Sequence, residues 1–313
     1  MSDEEITSLE SALKSKDENT ITEITMNHTT EERLELREKY NSKFNRELLD
    51  DIEKYTKSDL CTLLTSVYKD PIEYDVELLY KAMKGIGTND DILIEVISFR
   101  SFSRLKKIKQ KFKEKYNKDL ISEIKSETSG DYSTTLISLI ETERSNNSQP
   151  DIENCKKIAE ELYESGEGKI GTNENTFVKY FTTLSADEIS IVGKEYHKKY
   201  KKNIVQVIEN EIDGDLKKLF KCILYGLISP SEYFARQING AIKGIGTDDT
   251  VLIRSIVTRM DIDMIMIKKY YRKLFGKRMA EDIKGDTSGN YQKLLLKLIG
   301  EKERCKIDKI ILI

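Results

Sequence analysis

The sequence predicts an all-α protein built from four copies of one unit of about seventy residues, a period that marks repeat architecture. Three observations predict it. Apolar residues recur at helical spacing, as in Leu93, Ile94, Val96 and Ile97 and again in Leu136, Ile137, Leu139 and Ile140. Only three prolines interrupt 313 residues, which favours long helical runs. A glycine-rich loop also returns at a fixed distance from an acidic residue. Gly87 precedes Glu127 by 40 residues, and Gly171 precedes Glu211, and Gly246 precedes Asp286, by the same interval.

The clearest unit spans 70–143. It reads as a short amphipathic helix, the loop Lys84-Gly85-Ile86-Gly87-Thr88, a helix from Asn89, a turn near Arg100, two more helices, the turn Glu127-Thr128-Ser129-Gly130, and a last helix. Thr88 ahead of Asn89, Asp90 and Asp91 reads as a cap followed by acids in a first helical turn. Residues 229–302 repeat this pattern, with Lys243-Gly244-Ile245-Gly246-Thr247 and Asp286-Thr287-Ser288-Gly289. Residues 152–226 carry the variant loop Gly166-Glu167-Gly168-Lys169-Ile170-Gly171, followed by Glu211-Ile212-Asp213-Gly214. Residues 144–151 are polar and turn-rich and suit a longer connector between two halves of the chain. A degraded copy spans 5–69. Its loop, Ser15-Lys16-Asp17-Glu18, lacks both glycines, and Tyr55 stands where the acid is expected. Residues 303–313 form an apolar tail, expected to pack back on the body, with self-association or membrane contact as the alternative.

Composition narrows the function. Hydrophobic residues make up 38% and charged residues 34%, too apolar a mixture for disorder. Net charge is −3 with acids and bases interspersed, so no basic field points to nucleic acid. The first residues are acidic, unlike a signal peptide, and no apolar run is long enough to span a membrane. Cys61, Cys155, Cys222 and Cys305 are scattered, as free thiols in a reducing cytosol would be. The expected location is therefore cytoplasmic.

The loop and its acid suit a hard cation. Glycines let backbone carbonyl oxygens converge. A bidentate carboxylate adds two oxygens, for about five in all, where Ca²⁺ takes about six to eight. The remainder falls to water or an outside anion. One carboxylate per site implies weak binding, on the order of 10⁻⁴ M.

The loops, the fixed spacing and the four copies together resemble the annexin family over nearly the whole chain, as a divergent member with a protist-like, giardin-like texture. The resemblance implies four five-helix repeats packed as a slightly curved disc, with Ca²⁺ loops on the convex face that bind acidic, phosphatidylserine-like phospholipid. It implies ligand sets of Met83, Gly85 and Gly87 carbonyls with Glu127; of Gly166, Lys169 and Gly171 carbonyls with Glu211; and of Ile242, Gly244 and Gly246 carbonyls with Asp286. Minor sites near Thr88/Asp90, Thr172/Glu174 and Thr247/Asp249 also follow from it. The resemblance further implies a peripheral place at the inner face of membranes and a central polar channel matched here by Asp75, Glu95, Arg100 and Arg254, an ion-conducting role to be weighed against plain helix-face salt bridges that hold the repeats together. The loop-tip residues Ile86, Ile170 and Ile245 are poorly placed for a core and are expected to contact the membrane.

Other signals weigh less. Gly166-x-Gly168-x-x-Gly171 matches a dinucleotide fingerprint, but helix rather than strand precedes it. His28 and His197 are expected at the surface, and Lys106, Lys107 and Lys198–Lys202 on solvated helix faces. No nucleophile–base pair suggests an enzyme. The competing function is a calcium-independent cytoskeletal or cortical scaffold.

Overall fold

The computed structural model describes residues 2–85, 87–146, 149–168, 171–244 and 246–300. Every element among them is helical, twenty α-helices with no strand. The chain forms two compact units, one from Met1–Pro71 with Ser231–Ile313, the other from Ile72–Pro230.

The first unit holds α1 (Asp3–Ser15), α2 (Glu18–Met26), α3 (Thr30–Phe44), α4 (Leu48–Tyr55) and α5 (Ser58–Val67). The second holds α6 (Pro71–Met83), α7 (Asp90–Phe99), α8 (Phe102–Tyr116), α9 (Leu120–Glu127) and α10 (Gly130–Glu141). It continues with α11 (Ile152–Ser165), α12 (Glu174–Thr183), α13 (Ala186–Tyr200), α14 (Ile204–Glu211) and α15 (Gly214–Ile228). The first unit is completed by α16 (Pro230–Ile242), α17 (Asp249–Arg259), α18 (Met264–Phe275), α19 (Met279–Asp286) and α20 (Gly289–Leu298).

Local chemistry sets the helix ends. Capping boxes open α3 (Thr29 with Glu32), α13 (Ser185 with Glu188) and α14 (Asn203 with Gln206). The third helix of each series stops at a left-handed residue: Asn45, Asn117, Lys201 and Gly276. The same helices drive large rings into the core. Tyr40, Phe112, Tyr196 and Tyr271 are fully buried. Tyr40 and Tyr271 donate their hydroxyls to Asp51 and Asp282, each at 2.7 Å, so a buried ring also fixes the following short helix. Tyr196 donates instead to Glu167 in the third loop at 3.1 Å.

Within the second unit α15 packs on α7, α11 on α13, and α10 on α12. Phe177, Phe181 and Phe220 form its central ring cluster, with Phe181 and Phe220 centroids 5.0 Å apart. Within the first unit α20 packs on α2, α5 and α17.

Residues 144–151, expected to connect two halves, fall within the second unit, between α10 and α11, and their start is pinned. Ser145 N–H donates to the Thr183 carbonyl at 2.8 Å, and Arg144 donates to the Leu184 carbonyl at 3.0 Å. Burial pushes the Arg144 guanidinium down to about 10. Residues 147 and 148 and the apolar tail 303–313 lie outside the described residues.

Candidate loop and carboxylate sites

Each helix pair that opens a series is joined by a loop closed by one backbone hydrogen bond. Asn89 donates to Ala82, Asn173 to Ser165 and Asp248 to Ala241, at 2.7–2.8 Å. The first series closes the same way, Asp17 to Ala12 at 2.9 Å, over only five residues instead of seven or eight. Its loop has thus lost length as well as glycines, and Lys16 turns it at φ 58°. In the three longer loops Gly87, Gly171 and Gly246 hold φ of 82–84°, and Gly85 and Gly244 hold 120° and 142°. Side chains rarely adopt such angles, which is why the motif spends glycine there.

The distal acids are the last residues of the fourth helices. Glu127 ends α9, Glu211 ends α14 and Asp286 ends α19, while Tyr55 ends α4. A helix C-terminus disfavours a carboxylate, so a compensating partner is expected there. The loop threonine supplies one in all three. Thr88 Oγ1 donates to Glu127 at 3.1 Å, Thr172 to Glu211 at 3.0 Å and Thr247 to Asp286 at 2.5 Å. Forty residues of sequence separation thus become one hydrogen bond. In the third series a Cβ placed on Gly166 would stand 3.6 Å from Glu211 Cγ, so the loop start also lies against its acid.

This corrects the capping assignment at Thr88. The N-cap of α7 is Asn89, whose side chain accepts from Ile92 N–H at 3.2 Å; Asp248 does the same for α17. The threonine is released to hold the carboxylate.

A second repeated contact lies beside the first. Tyr132 donates to Asp90 and Tyr291 to Asp249, each at 2.7 Å. Burial, then the bonded carboxylate, raises both phenols. Asp249 is itself raised above the ordinary carboxyl value, first by burial; the Tyr291 bond pulls it back, and Asp59, Asp286 and Asp248 add to the rise. The tyrosines were not singled out in the sequence; their shared position two residues after Gly130 and Gly289 was the available signal.

Within the second unit Glu127 and Glu211 both line an open cavity of about 510 Å³, together with Asp90, Asp131, Glu174 and Asp213. The charge concentrated there suits cations and repels anions until cations are present. Among the described residues no three His, Cys, Asp or Glu side chains converge as a metal cluster. A site made of one carboxylate and backbone carbonyls needs no such cluster, and an oxygen-only donor set of low charge fits Ca²⁺.

The remaining expected ligands fall at the loop edges. Met83 and Ile242 are the buried last residues of α6 and α16, and Gly166 caps α11. Lys169, Ile86, Ile170 and Ile245 lie outside the described residues. Gly168 has a packing role, since a Cβ there would meet the Tyr163 carbonyl at 2.9 Å. Helix α11 precedes it, which removes the strand a dinucleotide loop needs.

Of the polar set, Asp75, Glu95 and Arg100 are buried in the second unit and Arg254 in the first. Asp75 accepts from Arg100 at 2.8 Å and from Arg104 at 2.6 Å, which ties α6 to the α7–α8 turn. Arg104 was missed because its spacing from Asp75 carries no motif. Burial pulls the Arg100 guanidinium down, but Asp75 and Glu95 outweigh it and hold it above its usual value. His197 is exposed as expected. His28 is only partly at the surface; its side chain is 10% exposed, bonds the Ile24 carbonyl at 2.7 Å and lies 3.3 Å from a Glu5 carboxylate oxygen.

Comparison with known proteins identifies the repeats and the fold. The Annexin family model matches residues 5–67, 74–139, 157–223 and 233–298. Annexin A7 of Dictyostelium discoideum is 36% identical over 90% of this chain, which spans 61% of that relative's length. Annexin A4 of Homo sapiens is 34% identical over 91% of this chain and 89% of its own. Among solved structures, annexin III superposes with a TM-score of 0.91 at 30% identity, covering 96% of this chain and 94% of its own. Chicken annexin V in complex with Zn²⁺ gives 0.89 at 33%, covering 95% of each. Calcium-bound alpha-14 giardin shares the fold, at 0.79 and 19% identity over 94% of this chain and 98% of its own.

Proposed function

This chain belongs to the annexin family, and on that premise we propose that it binds acidic phospholipid membranes in a calcium-dependent, reversible way through its second, third and fourth loops. The observation that carries the reading is the threonine hydroxyl bonded to the distal carboxylate in three series. That bond brings a single acid onto a glycine loop, the donor set a weakly held hard cation requires. The proposed sets are Met83, Gly85 and Gly87 with Glu127; Gly166, Lys169 and Gly171 with Glu211; and Ile242, Gly244 and Gly246 with Asp286.

Ca²⁺, when bound, supplies positive charge and open coordination positions for an outside anion. The chain's own part is to hold the acids in place and to leave the loop face open. Headgroup attraction acts within about a Debye length of ~8 Å at physiological salt. Ile86, Ile170 and Ile245 would each add up to ~1.5–3 kcal/mol if fully buried in lipid, and less at an interface. The degenerate first loop takes no part. No helix among the described residues is long and apolar enough to cross a membrane, consistent with peripheral attachment.

The test replaces Glu127, Glu211 and Asp286 together with Ala. Calcium-dependent sedimentation with phosphatidylserine vesicles should disappear while the helical circular dichroism is kept. Sedimentation of the folded triple variant at wild-type calcium would refute the assignment.

A further inference from the structure

The turn after each fourth helix has the same backbone in all four series. Ser58, Gly130, Gly214 and Gly289 open the last helix of their series at φ 60–62°. Two residues further on, the side chains differ. Leu60 and Leu216 stand there in the first and third series, Tyr132 and Tyr291 in the second and fourth. Leucine suffices to fill that place in the fold, since Leu60 is buried and Leu216 half-buried. The tyrosines add a hydroxyl, and both direct it at the same partner: Tyr132 at Asp90 and Tyr291 at Asp249, each at 2.7 Å. Both phenols are pushed up, by burial first, so each keeps its proton and remains a donor.

Asp90 and Asp249 are the first residues of α7 and α17, two positions after Thr88 and Thr247. In the second series, segment 88–90 is thus joined to segment 127–132 twice, by Thr88 on Glu127 and by Tyr132 on Asp90. The fourth series repeats the pair, with Thr247 on Asp286 and Tyr291 on Asp249. One hydrogen bond is a pivot, whereas two separated bonds fix the orientation of the segments they join. The third series keeps only the first bond, Thr172 on Glu211. There Leu216 offers no donor to Glu174, the counterpart of Asp90, although both line the cavity beside Glu211. Outer groups that fix a carboxylate before a cation arrives strengthen the site it forms.

We propose that Tyr132 and Tyr291 are positioning residues for the second and fourth cation sites, and that the third site lacks this support. Each holds the turn behind Glu127 or Asp286 against its loop, through Asp90 or Asp249. The role rests on the calcium reading of the loops given above. The tyrosines act through the turn and are not ligands.

The test uses the full chain with Tyr132→Phe, Tyr291→Phe and both together. These keep the ring and remove the hydroxyl, a loss the leucines of the other two series show the fold to tolerate. The first readout is the calcium midpoint of sedimentation with phosphatidylserine vesicles. The double variant should need about three- to tenfold more calcium, part of what a hydrogen bond to a charged group is worth. In an Asp90→Ala/Asp249→Ala background the same two Phe substitutions should shift the midpoint no further. The second readout is amide hydrogen exchange without calcium. Exchange over 127–131 should quicken in Tyr132→Phe alone, and over 286–290 in Tyr291→Phe alone, with 211–215 unchanged in both. A purely structural role would lower stability to urea and leave the midpoint in place, and that result overturns the proposal. A shift that persists in the Asp→Ala background, or exchange that quickens in all three turns alike, also overturns it. If wild type shows no calcium-dependent sedimentation, the loop reading falls and this role with it. If wild type and the triple Ala variant behave as expected but the Phe variants match wild type, the role of the tyrosines alone is overturned.

Discussion

At the scale of single residues, the threonine after each glycine pair has the most specific task. Thr172 touches Glu211 at 3.0 Å across most of a repeat, at the C-terminal end of α14. Thr172→Val keeps the shape and removes the donor, a loss worth about 1 kcal/mol for one hydrogen bond. The midpoint of calcium-dependent vesicle binding should move to higher calcium by up to about tenfold. An unchanged midpoint would mean the bond does not orient the acid. Asp249 offers a test of opposite sign. Its folded-state affinity for a proton is raised, by burial above all and then by neighbouring acids. A carboxyl raised in this way costs stability once pH rises through its folded pKa, since the folded state must give up a proton it binds more tightly than the unfolded chain does. Asp249→Asn, which can still accept from Tyr291, should therefore raise Tm at neutral pH in the presence of chelator. The gain should vanish below the ordinary carboxyl value of 3.8, where Asp is protonated in both states. A lower Tm at neutral pH would contradict this sign.

At the scale of elements, close packing decides which glycines matter. Gly226 lies in α15 where that helix meets α7, and a Cβ there would approach the Ser98 carbonyl oxygen to 2.9 Å. Backbone cannot yield as a side-chain tip can. Gly193 lies in α13 with nothing within 4 Å of its would-be Cβ. The same Gly→Ala change should accordingly have opposite effects. Gly193→Ala should stabilise by roughly 0.5–1 kcal/mol through helix propensity. Gly226→Ala should destabilise by about 1–3 kcal/mol through overpacking. Urea unfolding of the two variants checks both signs, and a shared sign would show that the α7–α15 contact is not the constraint inferred here.

At the scale of the whole molecule, the proposed activity is a coupling between two ligands. If lipid oxygens complete the calcium shell, each ligand must tighten the other by one common factor. Calorimetric calcium titration with and without acidic vesicles gives one side of the cycle, and vesicle binding at low and saturating calcium gives the other. The two factors should agree. Equal calcium affinity in both titrations would remove the mechanism even if the protein still bound lipid.

Much of this was legible in the sequence because it depends on local and periodic constraints. Helical spacing, the scarcity of proline and glycines at left-handed positions fix the helices and their loops, and the repeated interval ties each loop to its acid. The degeneracy of the first copy was also visible, in Tyr55 and the missing glycines, and family membership followed from the same residues. What only the tertiary structure decided were contacts without a repeated spacing or an extreme residue type to announce them. The release of Thr88 from capping to hold Glu127, the shortening of the first loop, the partial burial of His28 and the two-arginine grip on Asp75 all belong here. Each depends on which groups the packing brings within reach. Periodicity reports which face of a helix is apolar, but only packing determines what that face, or a side chain at its edge, finally meets.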